Sequence, residues 1–389
     1  MPVEDQSPRA TAQRRVGQTL NDKWHIDRVI DLGGMAAVFA ATHRNGKRVA
    51  IKMLHPQVAA NESIRKRFLR EGYVANRVEH RGAVQVLDDD KTSDGAVFIV
   101  MELLEGEPLE RRMDRAPGNR VPVHEVLGVA DQVLDTLAAF HAEGVIHRDI
   151  KPANLFITRE GVIKVLDFGL ARLREPDAGA ASHTGVGIVL GTVAYMPPEQ
   201  ALGRSDRIDV RSDLFALGAV MFHAITGEVF VTGATPLERL RCAGKNPAPK
   251  LATVIPQIPD YVARVVDTAL SYDQAQRWPD ARAMRAAVQA AYRGLVADAQ
   301  KRRAAAAPPP VPAAARPGDS IPIVEASPDD EDESIDVVFS VRSPEFPTSP
   351  PAADPTGGET IYREALTPSI VCDVSFGDAA LPNTGSGSR

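Results

Sequence analysis

Four polar residues in one short region have the types and spacing for chemistry on a phosphate. The stretch VIHRDIKPANLF (Val145 to Phe156) offers a carboxylate at Asp149, a cation two residues on at Lys151 and an amide five residues on at Asn154. Thirteen residues past Asn154 comes Asp167, at the end of an apolar run and directly before Phe168 and Gly169. One carboxylate can accept the proton of an attacking hydroxyl. A second carboxylate and an amide oxygen can hold magnesium against phosphate oxygens, and a lysine can neutralise the charge in transfer. Phosphoryl transfer from ATP needs this set.

Upstream, IDLGGMAAVFA (Ile30 to Ala40) reads as strand, glycine turn and strand. A phosphate-cradling loop usually follows G-x-G-x-x-G, and here those three places hold Asp31, Gly33 and Ala36. A carboxylate within a Debye length of a triphosphate, about 8 Å, would repel it. At an exposed site that repulsion costs only about 0.5–1 kcal/mol. Loss of the proton acceptor costs roughly 10²–10⁴-fold in rate. The Ala36 methyl is tolerable if φ stays negative there, while Gly33 and Gly34 keep the turn flexible.

These residues need a frame. The first hundred residues are strand-rich: WHIDRVIDL and AAVFAATH flank the glycine turn, and RVAIKML follows the hairpin signal Asn45-Gly46. NESIRKRFLREGYVANRV has Asn61 as N-cap and Ile64, Phe68 and Leu69 at helical spacing. AVQVLDDD and AVFIVMEL read as strands turned at Ser93-Asp94-Gly95. VHEVLGVADQVLDTLAAFHAEG then places Val126, Ala130, Val133, Leu134 and Leu137 on one helical face and stops at Gly144. LFIT and VIKVL form a small hairpin, and the pattern is helical from RSDLFALGAVMFHAITG onward, with no internal repeat.

In this setting HRDIKPANLF with DFG closely resembles the catalytic and magnesium loops of protein kinases. VAIKML resembles the kinase strand motif that marks Lys52, and Glu71, nineteen residues on, lies where kinases keep that lysine's partner. GTVAYMPPEQA resembles the end of the activation segment, with Pro197 where an alanine is common before Pro198-Glu199. The resemblance covers roughly Trp24 to Tyr292 and is nearest to bacterial Ser/Thr protein kinases of eukaryotic type; several motifs in fixed order make coincidence remote.

The resemblance implies an α+β, bilobal kinase fold: a small β-rich lobe at 24–101, a hinge at 102–106 and a larger helical lobe at 107–296, within a domain spanning 24–296. It makes Asp149 the catalytic base and sets Lys151 on the γ-phosphate. Lys52 would contact the α- and β-phosphates and pair with Glu71. Asn154 and Asp167 would hold Mg²⁺, with Mn²⁺ as a substitute. Leu32, Gly33 and Gly34 would form the lid over ATP. Val38, Ala50 and Leu155 would sandwich adenine, Met101 would guard the back pocket, and Glu102 to Leu104 would be the hinge. Asp213 and a Glu199–Arg277 pair would brace the loops. Arg148 before Asp149 implies regulation by phosphorylation of the activation segment, with Thr184, Ser182 and Thr192 as candidates. Lys151 with Thr192 implies Ser/Thr substrates. The alternatives are a nucleotide-binding pseudokinase that recruits partners, against which the intact set of charged residues speaks, and a small-molecule kinase, against which the GTVAYMPPEQA segment speaks.

Composition bounds the rest. The 389 residues carry 44% apolar residues and a net charge of −6, which gives no nucleic-acid footprint. Cys242 and Cys372 show neither a disulfide framework nor metal-ligand spacing. MPVEDQSPRATAQRR has no apolar core of a secretory signal, and no run of 18 apolar residues occurs, so cytoplasm is the expectation. Residues 1–23 are read as an extension. From Ala304 onward fourteen Asp/Glu stand against four Arg and no Lys, a net of −10 that leaves about +4 for the rest. The same stretch holds fourteen of the thirty prolines, so 297–389 reads as a disordered acidic tail. Its Ser343-Pro, Ser349-Pro, Thr367-Pro and Thr360 are candidate phosphorylation or docking sites for signalling partners, and dimerisation stays open.

Overall fold

A computed structural model describes residues 7–167 and 192–306. Helix α1 (Pro8–Gln13) and strand β1 (Thr19–Leu20) precede β2 (Trp24–Leu32), β3 (Ala36–His43) and β4 (Arg48–Leu54). Helices α2 (Pro56–Ala59) and α3 (Glu62–Ala75) lead into β5 (Val86–Lys91) and β6 (Val97–Glu102). The six strands form one antiparallel sheet in the order β1-β2-β3-β4-β6-β5. Turn glycines at the β3–β4 and β5–β6 connections carry the positive φ those turns need, 87° at Gly46 and 86° at Gly95.

Alternation divides this sheet into two faces. Ile51 and Met53 pack with Phe39, Phe98 and Val100 on the outer face, in a cluster that also takes Ala12, Leu20 and Trp24. The segment ahead of Trp24 therefore belongs to the small lobe's core: Ala12 and Leu20 are 3% and 4% exposed. Its apolar residues are too few to show a period, which hides this from the sequence. The inner face puts Lys52 between Val38 on β3 and Ile99 on β6, and Ala50 beside Met101. There Phe68 of α3 packs with Ala36, Leu54, Val97 and Ile99. A side chain at Gly72 would come within 2.6 Å of Ile99 Cδ1, so the helix backbone lies close over the row that holds Lys52. Asn61 caps α3 by accepting from the Ser63 and Ile64 amides.

Strand β7 (Gly106–Pro108), helices α4 (Leu109–Asp114) and α5 (Val123–Ala142), and strands β8 (Leu155–Thr158) and β9 (Ile163–Val165) begin the second lobe, with β7, β8 and β9 in a small sheet. Helices α6 (Pro198–Ala201), α7 (Val210–Thr226), α8 (Pro236–Lys245), α9 (Leu251–Val254), α10 (Asp260–Ala269) and α11 (Ala281–Ala306) complete it. Helix α7 is buried along nearly its whole length and packs between α5 and α10 in the main core. Residues 1–300 form one unit; of a second unit, 301–389, only the end of α11 is described. Among the described residues no helix is long and apolar enough to cross a membrane.

Because Leu20 is part of the outer core, Leu20→Ala should cost about 2–5 kcal/mol. Thermal unfolding should show a lower midpoint, whereas an unchanged midpoint would mean the leading segment is detachable.

Candidate active site

Asp149 lies in the loop between α5 and β8, and its neighbours hold it from several sides. Its Oδ2 accepts from Lys151 Nζ at 2.9 Å, and its carbonyl accepts from Asn154 Nδ2 at 2.8 Å. Asn154, in the short 3₁₀ turn Pro152–Asn154, is buried with its amide nitrogen turned to Asp149, which leaves Oδ1 as the atom for a cation. Leu166 links this loop to Asp167: its amide donates to Asn154 O at 2.8 Å, and its carbonyl accepts from His147 Nε2 at 2.8 Å. Two main-chain anchors on Leu166 thus set Asp167 relative to Asp149. Asp167 and Arg148 both adopt the left-handed region, φ 60° and 66°. A non-glycine residue is uncommon there and needs its surroundings to hold it.

For Arg148 the holder is Asp213, fully buried in the first turn of α7. Asp213 accepts from the Arg148 amide at 2.7 Å, from the His147 amide at 2.8 Å and from His141 Nε2 at 2.8 Å. Burial works against its charge, but the His141 hydrogen bond and the surrounding donors outweigh it and hold the carboxyl below its usual range. Gln200 adds a bond from Nε2 to Arg148 O at 3.2 Å.

Glu199 and Arg277 meet as a buried bidentate pair, at 2.8 and 2.9 Å, and Ser212 Oγ donates to Glu199 at 2.6 Å. The guanidinium also lies 4.7 Å from the Phe215 ring centroid. Here too burial disfavours the Glu199 charge, and the guanidinium fork with Ser212 overcomes it and lowers the pKa.

Lys52 reaches across from β4 to Asp167, which it contacts through Nζ. Desolvation in the cleft raises the Asp167 pKa, and the Lys52 ammonium more than offsets it, so the carboxyl stays below its usual range. Glu71 occupies α3 one residue before Gly72, and its side chain is outside the described structure. Val38, Ala50 and Met101 share the Lys52 face of the sheet, and Leu155 is fully buried at the start of β8. Glu102 does not present a free side chain: it accepts from Lys164 Nζ at 2.7 Å and from the Gln85 amide at 2.8 Å. Leu32, Gly33 and Gly34 are exposed at the β2–β3 turn. Thr192 opens the 3₁₀ turn Thr192–Tyr195, while Phe168, Ser182 and Thr184 lie outside the described residues.

Asp31 and Ala36 stand in the glycine turn at ordinary backbone positions. Neither residue has a positive φ, so neither place requires glycine. The Asp31 carboxylate is exposed and accepts from the neighbouring Leu32 amide at 2.8 Å.

A protein kinase domain model matches residues 24–292, and this chain belongs to the protein kinase family. The similar curated proteins are bacterial. A probable serine/threonine-protein kinase PknB of Corynebacterium glutamicum is 36% identical over 288 residues, covering 72% of this chain and 44% of that protein. The serine/threonine-protein kinase PknL of Mycobacterium tuberculosis is 35% identical, over 70% of this chain and 66% of its own length. Of the first such relatives the chain spans between a third and two thirds. The crystal structure of the Mycobacterium tuberculosis PknI kinase domain aligns with a TM-score of 0.53 at 28% identity, over 71% of this chain and 98% of that one.

Residues outside the sequence reading also build the site. His141, Ser212, Gln200 and Lys164 hold Asp213's loop, Glu199, Arg148 and Glu102. Only His141 carried any signal, as a histidine in the last turn of a helix that ends just before HRD.

Removing one partner of the buried pair leaves the other charge stranded, so Arg277→Ala should cost about 3–5 kcal/mol in urea unfolding. The lowered pKa of Asp213 stabilises the fold fully above the ordinary carboxylate range near pH 4 and is lost as pH falls through the folded value. Asp213→Asn should therefore destabilise at pH 7, and its deficit should shrink below pH 4.

Proposed function

We propose that this chain is a Ser/Thr protein kinase that moves the γ-phosphoryl group of ATP to protein hydroxyls. The observation that carries this reading is the single cluster of Asp149, Lys151, Asn154 and Asp167, with Leu166 tying its two halves. Asp149 accepts the substrate hydroxyl proton as the oxygen attacks phosphorus. The P–O bond to the leaving ADP oxygen breaks as the new one forms. Lys151, already 2.9 Å from Asp149, stands beside the attacking group and offsets charge on the transferring phosphoryl. Lys52 orients the α- and β-phosphates, exchanging its contact with Asp167 for phosphate oxygens.

The donor set fits a hard divalent cation: one carboxylate at Asp167 and one amide oxygen at Asn154, an oxygen-only pair of the kind Mg²⁺ takes alongside phosphates and water. When bound, Mg²⁺ would neutralise phosphate charge; Mn²⁺ suits the same oxygens. Val38, Ala50 and Leu155 form the adenine slot, with Met101 behind it and Glu102 to Leu104 as the hinge. Glu71, on the helix turn over the Lys52 row, is the partner we assign to that lysine in the working state.

Regulation by activation-segment phosphorylation follows from Arg148 beside Asp149, with Thr184 the first candidate, then Ser182 and Thr192. The acidic stretch that follows α11 serves as a docking or phosphorylated segment for protein partners, and the protein works in the cytoplasm.

Incubation with labelled ATP and Mg²⁺ should yield phosphoserine or phosphothreonine on the protein or a generic protein substrate, and Asp149→Asn should lower kcat by roughly 10²–10⁴-fold. No transfer by the parent would overturn the reading and leave a nucleotide-binding scaffold. Mass mapping of active protein should find phosphate on Thr184 and none in the Asp149→Asn variant. Asp31→Gly should lower the ATP KM a few-fold by removing a like charge; an unchanged KM would show that the Leu32-bonded carboxylate is not felt at the phosphates.

A further inference from the structure

We propose that His55 is a positioning residue for the glycine turn, and through it for the phosphates of the nucleotide. The proposal rests on the ATP-binding reading above. His55 follows the last residue of β4 and is 6% exposed. It is the N-cap residue of α2, yet its side chain makes no capping bond to that helix. The imidazole instead reaches the turn between β2 and β3: Nε2 lies 2.8 Å from Gly33 O. A carbonyl can only accept, so Nε2 carries the hydrogen and donates. The His55 main-chain amide donates to Met35 O at 2.9 Å. One residue thus holds two carbonyls of the four-residue turn Gly33–Ala36, whose ends are joined by Gly33 N to Ala36 O at 2.9 Å.

The consequence follows from peptide geometry. In a planar trans peptide the N–H points opposite the C=O. Fixing Gly33 O against the imidazole therefore turns the Gly34 N–H away from His55. Gly34 is exposed, and open space surrounds the position a side chain would take. An amide presented in this way is what a phosphate oxygen needs from a glycine turn. Without the imidazole, a turn with two adjacent glycines has many accessible backbone states, and ordering it would fall to the nucleotide.

The leading segment lies near His55. His55 and Pro56 line a small space together with Thr11, Ala12 and Arg15 of the leading segment. Arg15 forms an ion pair with Asp94 in the β5–β6 turn, which pins that segment to the sheet.

The test uses the full-length chain with His55→Ala and His55→Gln, since the glutamine Nε2 can reach where the imidazole Nε2 sits. Three quantities are read: Kd for a fluorescent ATP analogue with Mg²⁺, the split of KM for ATP against kcat, and the thermal midpoint. The expected result is a Kd and KM raised about 3- to 10-fold in His55→Ala, with kcat within two-fold and recovery to within two-fold of the parent in His55→Gln. An unchanged Kd in His55→Ala overturns the proposal. So does a fall in midpoint and kcat at constant KM, or a glutamine variant no better than alanine. A parent that binds no nucleotide overturns the ATP-binding reading itself, and a parent that binds ATP without transferring phosphate overturns only the catalytic part, since the Kd comparison still decides the role of His55.

Discussion

The arrangement of the site depends on one buried carboxylate. Asp213 sits fully enclosed in the first turn of α7, and a charge in that position is tolerable only when its oxygens are satisfied. Its satisfaction comes from the amides of His147 and Arg148 and from the His141 ring. The two amide bonds among them also fix the main chain just ahead of Asp149, where Arg148 is left-handed. Helix α7 is rigid because it is packed on nearly every side, so the loop inherits that rigidity. A carboxylate held this way does not have to be ordered when substrate arrives.

Around that anchor most of the links end on a main-chain group. Leu166, the residue before Asp167, is joined to Asn154 through its amide and to His147 through its carbonyl, and its own side chain plays no part in either bond. Asp167 then meets Lys52, which comes from the other lobe on a strand whose alternate residues are buried in the outer core. Burial of Ile51 and Met53 on one face leaves Lys52 no choice but the other, so a packing requirement aims its ammonium at Asp167. The Glu199–Arg277 pair applies the same logic at a distance from the chemistry. Two charges, a serine hydroxyl and the Phe215 ring share one enclosed site where each charge is costly alone and tolerable in company.

The glycine turn shows how a family pattern can be departed from without losing its geometry. Asp31 and Ala36 stand at backbone positions with ordinary φ, so the missing glycines cost no strain. The Asp31 carboxylate satisfies itself on the adjacent Leu32 amide. Within the site the non-glycine residues with left-handed backbone are Arg148 and Asp167, and there neighbours take the place of glycine in holding it.

Local chemistry determined much of this from the chain alone. The spacing of Asp149, Lys151, Asn154 and Asp167 points to phosphoryl transfer because few other chemistries need that set. The period of the apolar residues marked the strands around Gly33 and the helix that stops at Gly144, and Asn61 marked where α3 begins. What the sequence could not contain are pairings between residues far apart in the chain with no periodic signal. Asp213 with His141, Glu102 with Lys164, Gly33 with His55, and Ala12 and Leu20 under the outer face of the sheet are all of this kind. A lone histidine or alanine looks the same in sequence whether it faces solvent or closes a core. Only the folded chain decides, because burial and hydrogen-bond satisfaction are properties of what is brought near a residue and not of the residue itself.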